Sequence, residues 1–121
     1  MQLYNFFNSS TSYRVRIALA LKEVNYQHHG VNIRIGEQAT ESHIKLNPAK
    51  SVPLLITVEG NKITQSMAIL DYLEQAYPTP CLLPDDLLTR TRVLEVSNLI
   101  ACDMHPLNNL RILGYLKKQL N

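Results

Sequence analysis

Three of the chain's six prolines crowd into seven positions, Pro78-Thr79-Pro80-Cys81-Leu82-Leu83-Pro84, and this segment limits how everything around it can fold. Proline has no backbone donor and a fixed φ, so neither a helix nor an inner sheet strand continues through such a stretch. The chain is therefore read in three parts: residues 1–77, a linker over 78–84, and residues 85–121.

The first part alternates short apolar runs with helical patterns. Leu3 to Phe7 reads as a strand that ends in Asn8-Ser9-Ser10-Thr11-Ser12, a cluster of helix-capping types. From Tyr13 to Lys22 the pattern turns helical and is apolar almost all round, which predicts a heavily buried helix. Tyr26 to Ile33 reads as a second strand and Gly36 to Leu46 as a weaker helix, which must stop before Asn47-Pro48. Val52 to Val58 is the clearest strand, and Glu59-Gly60-Asn61 turns it back into Lys62–Thr64 as a hairpin. Ser66 then caps a helix that Pro78 ends. The order is β-α-β-α-β-β-α, an α/β arrangement of the thioredoxin-like kind, with a right-handed crossover in its βαβ unit.

In the third part, Val93, Val96, Ile100, Met104, Leu107, Leu110, Leu113, Leu116 and Leu120 recur at helical spacing, and Pro106 is expected to end or kink the helix. So short a segment cannot bury this stripe by itself. Either the natural chain continues, or the face packs on the first domain or on another subunit.

Composition narrows the function classes. A net charge of +2 with scattered Lys and Arg offers no nucleic-acid footprint. No stretch reaches the roughly 18 apolar residues of a membrane span. The N-terminus carries no secretory pattern. Cys81 and Cys102 stand at neither a C-x-x-C nor a metal spacing, which suits a reducing, cytoplasmic setting and no metal.

Three places carry candidate chemistry. Ser9-Ser10-Thr11-Ser12 is either a helix cap or a cradle for a thiol, because a helix N-terminus offers free N–H groups and partial positive charge. The chain has no cysteine there, so such a thiol must come from a ligand, with glutathione the obvious source. Val52-Pro53, if cis, turns the Val52 N–H and C=O sideways toward an extended peptide. Gln65-Ser66 is either a second cap or a carboxylate site. His28, His29 and His43 read as surface residues, and Asp103 and His105 fall on different helix faces, which excludes a metal pair. Arg111 is either a solvated edge residue or a clamp for a carboxylate.

Taken in order, these segments resemble one family. Ser9-Ser10-Thr11-Ser12-Tyr13-Arg14-Val15-Arg16-Ile17-Ala18-Leu19 is similar to the S-S-C-x-W/Y-R-V-R-I-A-L signature of zeta-class glutathione transferases. Asn47 to Pro53 resembles their N-P-x-x-x-V-P segment, and Gln65-Ser66-Met67-Ala68-Ile69 their Q-S-x-A-I. Pro78 to Pro84 resembles their linker, and Ala101 to Asn109 the first helix of their second domain.

The resemblance implies a thioredoxin-like glutathione-binding domain over 1–77, followed by the opening part, 85–121, of an all-helical domain. It implies glutathione as cofactor, held by Gln38, Val52, Pro53, Gln65 and Ser66. The thiol is directed to Ser9, Ser10 and Thr11 as the catalytic group, with Ser9 facing the thiolate. His105 and Asn109 match positions lining the same cleft, and Arg111 is assigned to a substrate carboxylate. The implied reaction is cis–trans isomerisation of maleylacetoacetate to fumarylacetoacetate by reversible thiolate addition, in a cytoplasmic homodimer. Maleylpyruvate isomerisation, transfer of glutathione to small electrophiles such as haloacids, and a non-catalytic module of the same fold are the alternatives. Thr11 stands where the usual motif has Cys, and Asn8 where many members have Arg.

Overall fold

The computed structural model describes residues 1–120. Its contacts divide the chain into two compact units, Met1–Leu82 and Leu83–Asn121.

In the first unit, β1 (Gln2–Asn5) is central. It pairs in parallel with β2 (Gln27–Gly30) and antiparallel with β3 (Leu54–Ile56), which pairs antiparallel with β4 (Lys62–Thr64). The sheet order is β2-β1-β3-β4. Three helices complete the unit: α1 (Ser10–Leu21), α2 (Glu41–Leu46), preceded by a 3₁₀ turn at Glu37–Ala39, and α3 (Ser66–Ala76). This is the thioredoxin-like α/β arrangement read from the sequence, with β4 at the residues expected and β2 and β3 each shorter than the apolar run read there.

Alternation along the strands gives the sheet two faces. Leu3 and Leu55 join Val15, Ala18 and Leu19 of α1 and Ile69 and Leu73 of α3 in the main core. Tyr4 points the other way and meets His43 of α2, ring edge to ring face at 6.4 Å. Fully burying a Leu or Ile side chain stabilises a fold by about 1.5–3 kcal/mol, so this cluster holds α1 and α3 on the sheet.

Three sequence expectations are corrected. First, α1 buries one face only: Ser12, Val15, Ala18 and Leu19 are buried, while Tyr13, Ile17 and Leu21 are exposed. Second, His43 is buried, with Nε2 3.1 Å from the Ser51 carbonyl. His29 is likewise half-buried, stacked on Tyr4 at 4.4 Å. Third, Ser66 does not cap α3. Gln65 occupies that position without a side-chain capping bond, and Ser66 Oγ accepts from Arg14 instead. The side chain of Lys22, at the end of α1, is fully buried, where its Nζ meets Glu74 Oε2 at 2.7 Å and donates to the carbonyls of Tyr77 (2.6 Å) and Pro80 (3.0 Å).

In the second unit, Asp86 caps α4 (Leu87–Asn98), and its Oδ2 accepts from the Thr89 amide at 2.9 Å. The helix continues through a π turn at Leu99–Met104 and a 3₁₀ turn at His105–Asn108 containing Pro106, then restarts as α5 (Leu110–Leu120). The proline break thus falls where the sequence places it. No described residue of this unit is buried, which fits a stripe too short to enclose itself. Both cysteines are free thiols, and no helix is long and apolar enough to cross a membrane.

Candidate active site

The turn from β1 into α1 is fixed from behind by Arg16. Its Nη1 donates to Asn5 Oδ1 at 2.9 Å and to the Phe6 carbonyl at 3.2 Å, and its Nη2 donates to the Phe7 carbonyl at 2.9 Å. Three oxygens on one planar fork leave the loop little freedom. The loop delivers Ser9 as the N-cap of α1, where Ser9 Oγ accepts from the Ser12 amide at 3.3 Å. The amides of Ser10 and Thr11 follow, with no acceptor among the described residues, and so the end of α1 presents free donors and positive dipole charge. Ser10 is exposed and Ser9 half-buried.

Val52 arrives at the same place from the other side. Asn47 organises the loop before it, donating through Nδ2 to the Ser51 carbonyl at 2.8 Å and accepting from the Ala49 amide at 3.0 Å. The Val52–Pro53 bond is cis. Thr11 Oγ1 donates to the Val52 carbonyl at 3.2 Å and lies 2.9 Å from Ser9 Oγ, so Ser9, Thr11 and Val52 form one connected cluster. The Val52 N–H has no acceptor among the described residues.

Gln65 and Ser66 sit at the start of α3. Gln65 adopts φ 67, a left-handed conformation costly for a residue with a Cβ and commonest where function over-determines the backbone. Ser66 is buried, and Arg14 Nη1 of α1 donates to its Oγ at 3.0 Å. Gln38 lies in the 3₁₀ turn before α2, with its Oε1 buried and unpartnered.

The first unit therefore joins Ser9, Thr11 and Val52 in one hydrogen-bonded chain and links α1 to Ser66. Sequence reasoning missed Arg14 and Arg16 as organisers, placing them only within a helix expected to be apolar almost all round. Their spacing of two on a helix, next to a capping cluster, was the available signal.

The remaining sequence candidates lie in the second unit. His105 begins the 3₁₀ turn, and Asn109 Oδ1 caps α5 by accepting from the Arg111 amide at 3.0 Å and the Ile112 amide at 3.2 Å. Arg111 is exposed. Among the described residues no group of His, Cys, Asp and Glu could hold a metal.

A mixed four-stranded sheet with α1 and α3 on one face and cis-Pro53 beside the α1 N-terminus defines a thioredoxin-like domain. Residues 1–75 match the family described as glutathione S-transferase, N-terminal domain, and the chain belongs to that family. It is 46% identical over 120 residues to the maleylacetoacetate isomerase of Pseudomonas aeruginosa, a match covering 98% of this chain and 57% of that protein. Among solved structures, it superposes with a TM-score of 0.94 on the holo form of maleyl pyruvate isomerase, a bacterial zeta-class glutathione S-transferase. That pair is 45% identical, and the match covers 99% of this chain and 56% of the other. The maleylacetoacetate isomerase of Methylobacterium extorquens AM1, with bound malonate and GSH, gives a TM-score of 0.94 at 35% identity and the same coverage of 99% and 56%. The chain thus spans little more than half the length of the relatives it matches.

Proposed function

We propose that the chain is the glutathione-binding part of a zeta-class, glutathione-dependent cis–trans isomerase acting on maleyl-type keto acids such as maleylacetoacetate or maleylpyruvate. The observation that carries this reading is the contact cluster of Ser9, Thr11 and Val52 beside the free amides at the start of α1. The names of isomerases 46–47% identical in sequence support it, as does the GSH bound in a relative 35% identical.

A tripeptide with one thiol and two carboxylates suits what these residues leave unused. The Val52 N–H, beside Pro53, is a free donor to an extended backbone. Ser66 Oγ accepts from Arg14, so its own proton is available to a carboxylate, and Gln65 adds an amide. Gln38 keeps an unpaired buried oxygen, an acceptor for an amide or ammonium. The α1 amides and dipole favour a thiolate over a thiol, and the Ser9 and Ser10 hydroxyls are the donors nearest to it in sequence. Bound glutathione would supply the nucleophile for reversible addition to a conjugated cis double bond. In the second unit, Arg111 is assigned to a substrate carboxylate, and His105 and Asn109 to the wall of the cleft. The 1–77, 78–84 and 85–121 division, a homodimeric assembly and a cytoplasmic location belong to the same proposal.

The test follows conversion of maleylacetoacetate and maleylpyruvate to their trans isomers with and without glutathione, in the wild type and in Ser9→Ala. The expected result is glutathione-dependent conversion that Ser9→Ala largely abolishes. Conjugation of a haloacid without isomerisation would replace the proposal with a transferase. Full activity in Ser9→Ala would remove Ser9 from the chemistry.

A further inference from the structure

The hydrogen-bond directions at the α1 N-terminus can be counted out. The Ser9 and Thr11 hydroxyl oxygens are 2.9 Å apart, and Thr11 Oγ1 is 3.2 Å from the Val52 carbonyl oxygen. A carbonyl only accepts, so the Thr11 proton goes to Val52. With that proton committed, Thr11 meets Ser9 as an acceptor, and the Ser9 proton points at Thr11. The other contact of Ser9 Oγ, the Ser12 amide at 3.3 Å, is itself a donor. The single proton of Ser9 is therefore already used within the chain Ser9→Thr11→Val52.

We propose that Thr11 is a positioning residue that competes with a bound thiolate for the Ser9 proton, and so governs through Ser9 how readily that thiol ionises. The inference deepens the proposed function and rests on its placing of glutathione at this turn. A sulfur beside Ser9 gains its hydrogen bond only when Ser9 rotates away from Thr11, and the bond given up offsets part of the gain. Thr11 has a second, separable effect. Its bond to the Val52 carbonyl steadies the backbone that faces the peptide, and losing this bond weakens binding without changing thiol acidity. Cysteine, whose sulfur is a weak acceptor, would compete less for the Ser9 proton.

The test titrates the ultraviolet absorbance of the thiolate of glutathione bound to the full chain, across pH, in wild type, Thr11→Val, Thr11→Ser and Ser9→Ala. Valine keeps the β-branched shape and removes both hydroxyl contacts. Since a net hydrogen bond is worth ~0.5–1.5 kcal/mol, Thr11→Val should lower the apparent pKa of the bound thiol by about half a unit to one unit. Thr11→Ser should match the wild type. In a Ser9→Ala background, Thr11→Val should have no effect on acidity, which a merely structural role for Thr11 would not produce. Thr11→Ala removes the same hydroxyl and must give the same sign if the valine variant folds poorly. An unchanged or raised pKa in Thr11→Val, or an equal shift in the Ser9→Ala background, overturns the inference while leaving glutathione binding intact. Failure of wild type to bind glutathione removes the underlying reading and the inference with it.

Discussion

Lys22 Nζ lies 2.7 Å from Glu74 Oε2, joining the end of α1 to α3 through two side chains that are 0% and 10% exposed. Glu74 also accepts the Leu82 amide, at 3.0 Å through Oε1, while Lys22 holds the carbonyls of Tyr77 and Pro80. Removing one member of such a buried pair leaves the other uncompensated and costs about 3–5 kcal/mol. Lys22→Met should therefore lower unfolding stability by roughly that amount in urea titrations, and Lys22→Met/Glu74→Leu should recover most of it. Equal losses in the single and double variants would assign the effect to the two carbonyl contacts.

Arg14 offers a prediction on binding. Its donation to Ser66 Oγ, at 3.0 Å, leaves the Ser66 proton free for the carboxylate proposed to bind there. Hydrogen bonds from charged donors contribute ~1.5–3 kcal/mol, so Arg14→Met should weaken glutathione binding by about tenfold or more in calorimetry. The rate at saturating glutathione should change little. A fall in that rate with unchanged affinity would contradict this role.

The cap of α4 should respond to acid. Hydrogen bonds from the Thr89 amide, and next from the Thr89 hydroxyl, hold the Asp86 carboxyl below its ordinary value of 3.8. A depressed folded-state pKa stabilises the helix above the unfolded value, and that contribution disappears as pH falls through the folded value. Exchange protection of the Thr89 amide should therefore drop at the acid end in wild type. In Asp86→Asn the loss that tracks this carboxyl should be absent.

The core of the first unit should be sensitive to volume. Leu73 is fully buried and packs with Leu3, Leu19 and Leu55. Leu73→Ala should cost about 2–5 kcal/mol by denaturant titration, and a cost below 1 kcal/mol would mean that the cluster collapses around the void.

Which features were legible in the sequence follows from the range of the forces involved. β3 and the hairpin after it were readable because apolar runs and a Glu-Gly-Asn turn are local signals, and the Pro106 break was readable for the same reason. His43 was misread because it packs against Tyr4 of β1 and the Ser51 carbonyl, neither visible in helix periodicity. The partners of Lys22 were not legible, because only the folded chain brings Glu74, Tyr77 and Pro80 to it. At the candidate site, residue types and order announced Ser9, Val52 and Ser66. The hydroxyl chain through Thr11 and the Arg14–Ser66 link depend on a helix, a loop and a second helix converging in space.

Gln65 holds φ 67, a conformation that glycine would adopt without steric cost. Replacing it with glycine would ease the backbone and remove the amide side chain at the start of α3. With Gln65 holding the ligand as proposed, thermal tolerance and ligand capture select opposite residues at this single position. A family that kept glutamine there would be accepting a less robust fold in exchange for a polar group that glycine lacks.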